Sequence, residues 1–274
     1  MSNVDAAELR ERYLRALRAA LVGGPPFYAY RHVPRPEDPE LARNFDALRE
    51  TGAELFTQLP PGPDLHDVGA GWLATGETMI GDLRLRQLQD AVETVIAQGV
   101  EGDLIEAGVW RGGASILMRA VLDAYGVTDR LVWVADSFKG LPPPDPGSYP
   151  ADAGLRLHEH PALAARIEEV QSNFAWHGLL DDQVRFLPGW FRDTLPTLGT
   201  HQWAVIRLDG DLYESTILGL EHLYPGLSPG GFVIVDDYGV LTSCRQAVDD
   251  FRAAHGITEP IEKVDWTAVY WRRA

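Results

Sequence analysis

The chain has a single cysteine, Cys244, among 274 residues. One thiol permits no internal disulfide and no cysteine-based metal cluster, so a reducing, cytoplasmic setting is expected. Cations are scarce as well: 24 Lys and Arg stand against 40 Asp and Glu, a formal net charge of −16. That balance argues against nucleic acid or an anionic membrane surface as a partner. Long apolar runs are also missing. No stretch is long and uninterrupted enough to span a bilayer, and the first residues lack the basic start and apolar run of a signal peptide.

What remains is a soluble chain long enough for one large domain with a full core and an appendage. Leu9, Leu14, Leu17, Ala20 and Leu21 fall near helical spacing over residues 5–22, and Gly23-Gly24-Pro25-Pro26 stops them. A proline-rich stretch and a helix over 39–50 follow. Residues 1–70 are therefore expected to form a helical appendage or lid, and residues 71–274 the main domain. An amphipathic helix over 82–98 leads into that domain. From Asp103 onward, strand and helix patterns alternate. Strands are expected at Asp103–Ala107, Leu131–Ala135, Val184–Leu187, Ala204–Leu208 and Phe232–Val235, with helices over 113–125, 161–177, 214–224 and 243–255. The class is α/β, a doubly wound Rossmann-like sheet, and Ile261–Val264 with Ala268–Trp271 predicts a terminal antiparallel hairpin.

Two acidic clusters close two of the strands: Asp209-Gly210-Asp211 after Trp203–Leu208, and Asp236-Asp237 after Gly231–Val235. Carboxyl ends of parallel strands open into a shared crevice. Up to four carboxylates would then crowd one mouth, where they repel and shift each other's pKa values. A hard divalent cation relieves this, and all-oxygen ligation suits Mg²⁺ or a similar ion. A plainer reading of Asp211 is a helix N-cap near Tyr213.

The first crossover carries a glycine-rich turn, from Asp103 through Gly108, Trp110, Gly112 and Gly113 to Ser115. Strand, glycine turn and helix N-terminus suggest a nucleotide-type site. Where the dinucleotide fingerprint has a second glycine, for close approach of pyrophosphate, this chain has Trp110. After the next strand comes Asp136, an acid placed to accept ribose hydroxyls. Turn, acid and later carboxylates, in this order, fit S-adenosylmethionine, a ribonucleoside with a sulfonium and no phosphate.

These stretches resemble the macrocin O-methyltransferase (TylF-type) family, S-adenosylmethionine- and Mg²⁺-dependent enzymes that methylate sugar hydroxyls in antibiotic biosynthesis. The likeness is carried by Thr78–Gly81, Asp103–Gly113, Asp136–Asp145, Leu179–Phe191, Arg207–Ser215, Gly230–Tyr238 and Val269–Trp271, from about residue 70 to the end. It implies a class I methyltransferase fold. It further implies that Glu106, Ala107, Gly108, Val109 and Trp110 line the methionine and ribose, and that Asp136 holds the ribose beside Ser137, Phe138 and Lys139. Gly189 and Trp190 would flank the adenine, Asp182 would meet its exocyclic amine, and Thr78 and Met79 would cover the cofactor. Asp209, Asp236 and Asp237 match the family's Mg²⁺ ligands, while Asp211 and His158 match residues for proton removal or acceptor positioning. The implied partner is a glycosylated small molecule of macrolide or aminocoumarin type, and the implied assembly a homo-oligomer. A catechol-type O-methyltransferase and a non-catalytic nucleotide- or metal-binding scaffold are the alternatives.

Overall fold

The computed structural model describes residues 5–23, 30–53, 55–58 and 76–274. The expected boundary near residue 70, and Pro25 and Pro26, lie outside these.

Helix α1 (Ala6–Leu21) turns Leu14, Leu17 and Leu21 inward, where they join the main core. Its buried Arg18 donates to Asp82 at 3.0 Å and also bonds Gln89. Helix α2 (Pro39–Glu50) starts at Asp38, whose carboxylate accepts from the amides of Glu40 and Leu41 at 3.0 and 2.9 Å. Pro at the first helical position and an Asp cap are both strong start signals. Short strands β1 (Tyr30–His32) and β2 (Phe56–Gln58) pair antiparallel, a ribbon that the polar spacing did not predict.

The main domain is a seven-stranded sheet. Its strands are β3 (Asp103–Ala107), β4 (Val132–Asp136), β5 (Val184–Pro188), β6 (Trp203–Leu208), β7 (Leu227–Val235), β8 (Glu262–Lys263) and β9 (Val269–Arg272). Their order is β5-β4-β3-β6-β7-β9-β8, with the first five parallel and the terminal hairpin antiparallel. Side chains alternate between the two faces. Leu104, Val132, Val134, Val205 and Ile234 pack under α1, α3 (Asp82–Ala97), α4 (Gly113–Ala124) and α5 (Ile167–Trp176). Ile105, Ala135, Ile206, Val233 and Val235 pack under α7 (Tyr213–Leu223) and α8 (Thr242–His255). A short helix, α6 (Phe191–Thr194), follows β5 directly.

The expected helix over 161–177 is shorter than its pattern. Pro161–Leu163 forms a single 3₁₀ turn, Ala164 and Arg166 are extended, and α5 begins at Ile167. The extended segment lets Ala165 bury itself in the core.

Candidate active site

Each of the first residues beyond the central strands is tied to its neighbour by continuing the parallel ladder. The amide of Gly189 donates to Asp136 O at 2.8 Å, and that of Gly108 to Ala135 O at 2.9 Å. The amides of Asp209 and Asp236 donate to Ala107 O and Leu208 O at 2.9 and 3.0 Å. Four loops thus leave the sheet in register, so their side chains start from fixed positions along one edge. At Gly108, φ is +90°, and a Cβ there would collide with the Asp209 carbonyl. Only glycine permits that approach of the β3 and β6 exits.

Above this edge lies a cavity of about 720 Å³. Its walls include Met79, Gly108, Trp110, Asp136, Ser137, Gly189 and Trp190, as well as Asp209, Gly210 and Asp211. Asp136 accepts from the amides of Val109 and Phe138, both at 2.8 Å. Burial pushes its carboxyl above the usual range, and those amide bonds oppose the push. Among the described residues, the only non-glycine positions with positive φ are Trp110, Phe138 and Asp211. All three stand in the loops that the sequence picked out, and strained backbone clusters where a site needs a fixed geometry.

The acidic side is built from charges. One oxygen from each of Asp209, Asp236 and Asp237 lies within 4.8 Å of the others. Beneath them, Arg207 donates to Glu106 at 2.6 Å and to Asp209 at 2.8 Å, and also bonds Asp236. Arg84 of α3 bonds the other Asp236 oxygen and reaches Asp265 at 2.9 Å. Glu106 and Arg207 are register partners on adjacent strands, on the face that also carries Asp209 and Asp236. Burial raises the Glu106 carboxyl to about 7 against the pull of Arg207. Asp211 is raised to about 7 by burial and by Asp209 and Asp236, and Asp237 is raised well above the usual range by burial and then by Asp211. Burial, followed by repulsion from Asp236, also raises Asp209. Two guanidiniums do not neutralise six acids, and the donor set is all oxygen, which fits a hard divalent cation. Each carboxylate has about four lone-pair sites, so Asp236 can accept from two arginines and still bind an ion.

The chain matches the macrocin-O-methyltransferase (TylF) family over residues 10–273. It belongs to that family. It is 58% identical, over 213 residues, to the 8-demethyl-8-(2,3-dimethoxy-alpha-L-rhamnosyl)-tetracenomycin-C 4'-O-methyltransferase of Streptomyces olivaceus, spanning 77% of this chain and 81% of that protein. With the mycinamicin III 3''-O-methyltransferase of Micromonospora griseorubida it shares 48% over 225 residues, 81% of this chain and 88% of the relative. The solved structure of the O-methyltransferase NovP superposes with a TM-score of 0.82 at 43% identity, covering 97% of this chain and 99% of that one. The sheet described above is accordingly the class I O-methyltransferase fold.

Within this macrocin-type O-methyltransferase, the expected residues fall into three groups. Met79, Gly108, Trp110, Asp136, Ser137, Gly189, Trp190, Asp209 and Asp211 line the cavity. Thr78, Glu106, Ala107, Val109, Phe138, Asp236 and Asp237 are buried and are not part of its lining. Glu106, for example, bonds Ser115 and Arg207 rather than facing the cavity. Lys139 is exposed. Asp182 stands apart from both: it is exposed just before Val184, at the amino-terminal end of β5, whereas Gly189 leaves the carboxyl-terminal end. A strand rises about 3.3 Å per residue, so the length of β5 separates Asp182 from the cavity, which corrects its expected place beside the adenine. His158 sits in the 3₁₀ turn Leu157–Glu159, outside the cavity wall, with its ring 3.8 Å from Glu159.

Sequence reasoning missed Arg207, Arg84, Asp265 and Asp152. A signal existed for Arg207: a lone cation inside a fully buried apolar strand requires buried acids around it. Asp152 lies in a proline- and glycine-containing stretch, Pro142–Gly154. In the fold it is fully buried and accepts from the amides of Tyr213 and Glu214 at 2.7 and 3.0 Å, capping α7 from 61 residues away. It thereby anchors the 150–160 loop beside Asp211, and no local pattern reveals such a bond.

Proposed function

We propose that the chain transfers the methyl group of S-adenosylmethionine to a sugar hydroxyl of a glycosylated natural product, with Mg²⁺ held by Asp209, Asp236 and Asp237. The observation that carries this reading is one cavity whose walls hold both Asp136 with the Gly108 turn and Asp209 with Asp211. Gly108, Trp110 and Asp136 bind and orient the donor. Mg²⁺ at the carboxylate cluster would supply Lewis acidity, making a nearby hydroxyl easier to deprotonate and fixing its oxygen. Asp211 takes the hydroxyl proton on its carboxylate. A carboxylate in the cavity wall beside the cluster is placed for that role. Proton removal falls to Asp211 rather than His158, because Asp211 lines the cavity. Alkoxide and sulfonium neutralise each other as they react, so positioning and exclusion of water do much of the work.

The names of the two relatives support a sugar hydroxyl over a catechol. Residues 1–70 are assigned to covering the acceptor, and self-association of the chain to form a homo-oligomer is part of this reading. The test is turnover of the rhamnosyl-tetracenomycin and mycinamicin III acceptors with Mg²⁺ and with EDTA. Activity lost in EDTA, and lost in Asp237→Ala while that variant keeps its S-adenosylhomocysteine affinity, is the expected result. Full activity of Asp237→Ala in EDTA would remove the metal from the mechanism.

A further inference from the structure

The cavity wall contains an acid that neither the carboxylate cluster nor the Asp136 side uses. Glu214 lies in the first turn of α7, is 3% exposed and faces the cavity. Its Oε1 meets the Arg192 guanidinium at 3.4 Å. Its Oε2 is buried with no hydrogen-bond partner among the described residues. An unsatisfied buried oxygen is costly, and this one belongs to a residue of the cavity wall. The backbone around it is rigid, because Asp152 accepts the Glu214 amide.

The position of Arg192 places this acid along the donor path. Arg192 follows Trp190 by two residues in the turn that leaves β5, and the Gly189 amide ties that turn to Asp136 O at 2.8 Å. A donor with its methyl near Asp209 and Asp211 and its ribose at Asp136 must extend its base beyond Asp136, toward the β5 exit. Arg192 stands there, and its ion pair with Glu214 of α7 sets an N–H donor beside a carboxylate whose Oε2 has no hydrogen-bond partner among the described residues. The edge of adenine offers the complement: an amino group that donates and a ring nitrogen that accepts.

We infer that Glu214 Oε2 accepts the exocyclic amine of the donor's adenine, in the role that the sequence had suggested for Asp182, with Arg192 beside the ring nitrogen. The inference rests on the S-adenosylmethionine reading above. It makes Glu214 a specificity residue for the base, without part in the chemical step.

Calorimetric titration with two probes tests it without acceptor or metal. One probe is S-adenosylhomocysteine. The other is S-inosylhomocysteine, in which a carbonyl oxygen replaces the amine and the ring nitrogen carries a proton. The wild-type protein is expected to prefer the adenine probe. Glu214→Leu should weaken that probe roughly 10- to 100-fold, the scale of a hydrogen bond to a charged group, and leave the inosine probe within about twofold. Glu214→Gln keeps the shape and can turn either its oxygen or its amide nitrogen to the base, so its preference should narrow; it also guards against misfolding of the leucine variant. Unchanged preference in both variants overturns the inference, even if acceptor KM rises, since Glu214 would then face the acceptor. Failure of the wild-type protein to bind S-adenosylhomocysteine at all would instead bring down the donor reading, and this inference with it.

Discussion

The two sides of the cavity are held by different physics. At the β3 and β4 exits the walls are made of backbone: a glycine pressed against a carbonyl, and two amides that converge on Asp136. At the β6 and β7 exits they are made of side chains, with six acids around two buried guanidiniums. The ladder bonds of the backbone-built wall hold whatever the charge state, because they continue the sheet. A charge-built wall keeps its shape only while its charges balance, since an unpaired buried charge is costly. Loss of a buried cation on the acidic side should therefore disturb the fold most, while changes on the other side should act mainly on binding.

The largest break in that contrast is expected from Arg207→Leu. It strands Glu106, Asp209 and Asp236 beside one fewer cation, and removal of one partner from a buried ion pair costs about 3–5 kcal/mol. Urea unfolding measures it, and a loss below about 1 kcal/mol would mean that the acids do not depend on this guanidinium.

A pH series in EDTA probes the same side more gently. Glu106 and Asp211 have folded values of about 7, above the usual carboxylate range. Their contribution to stability is complete below the unfolded values near 4 and is lost as pH rises through about 7. The unfolding free energy should fall between about pH 4 and 7, by at most about 1.4 kcal/mol per pH unit for each group. Glu106→Gln should flatten the slope. A rise in stability with pH would contradict the charge balance described.

On the backbone-built side, Asp136→Ala should weaken S-adenosylhomocysteine by about 1–3 kcal/mol, and the amides of Val109 and Phe138 that it strands should lower the urea midpoint by less than Arg207→Leu does. Calorimetry together with unfolding separates the two effects, and an unchanged affinity would take Asp136 out of the donor site. The smallest effect is expected where the sides meet. Asp152→Ala removes the cap of α7 and should cost about 0.5–2 kcal/mol. It should also lower kcat through Asp211 while sparing donor binding, and Asp152→Asn should restore part of both.

The strands that carry the site were legible in the sequence because each is a short apolar run that ends in a glycine or an acid. The runs at Asp103–Ala107, Trp203–Leu208 and Gly231–Val235 required no tertiary information, and the carboxylate cluster follows from two of them ending on the same edge of a parallel sheet. Asp182 was misplaced because one-dimensional proximity to Gly189 hides which end of β5 each residue occupies. Asp152 was overlooked because its partners lie 61 and 62 residues away.

The sequence by itself determined the alternation of strand and helix, the glycine turn, and the carboxylates at the strand ends. These are local consequences of periodicity, backbone freedom and charge, readable within a few residues. Only the tertiary structure decided that Arg84 and Arg207 counter those acids, that Asp152 caps α7, and that Glu214 of α7 pairs with Arg192 of α6. Each of those contacts joins residues distant in the chain, and a pair of opposite charges has no preferred spacing in sequence until the sheet brings its members within hydrogen-bond reach.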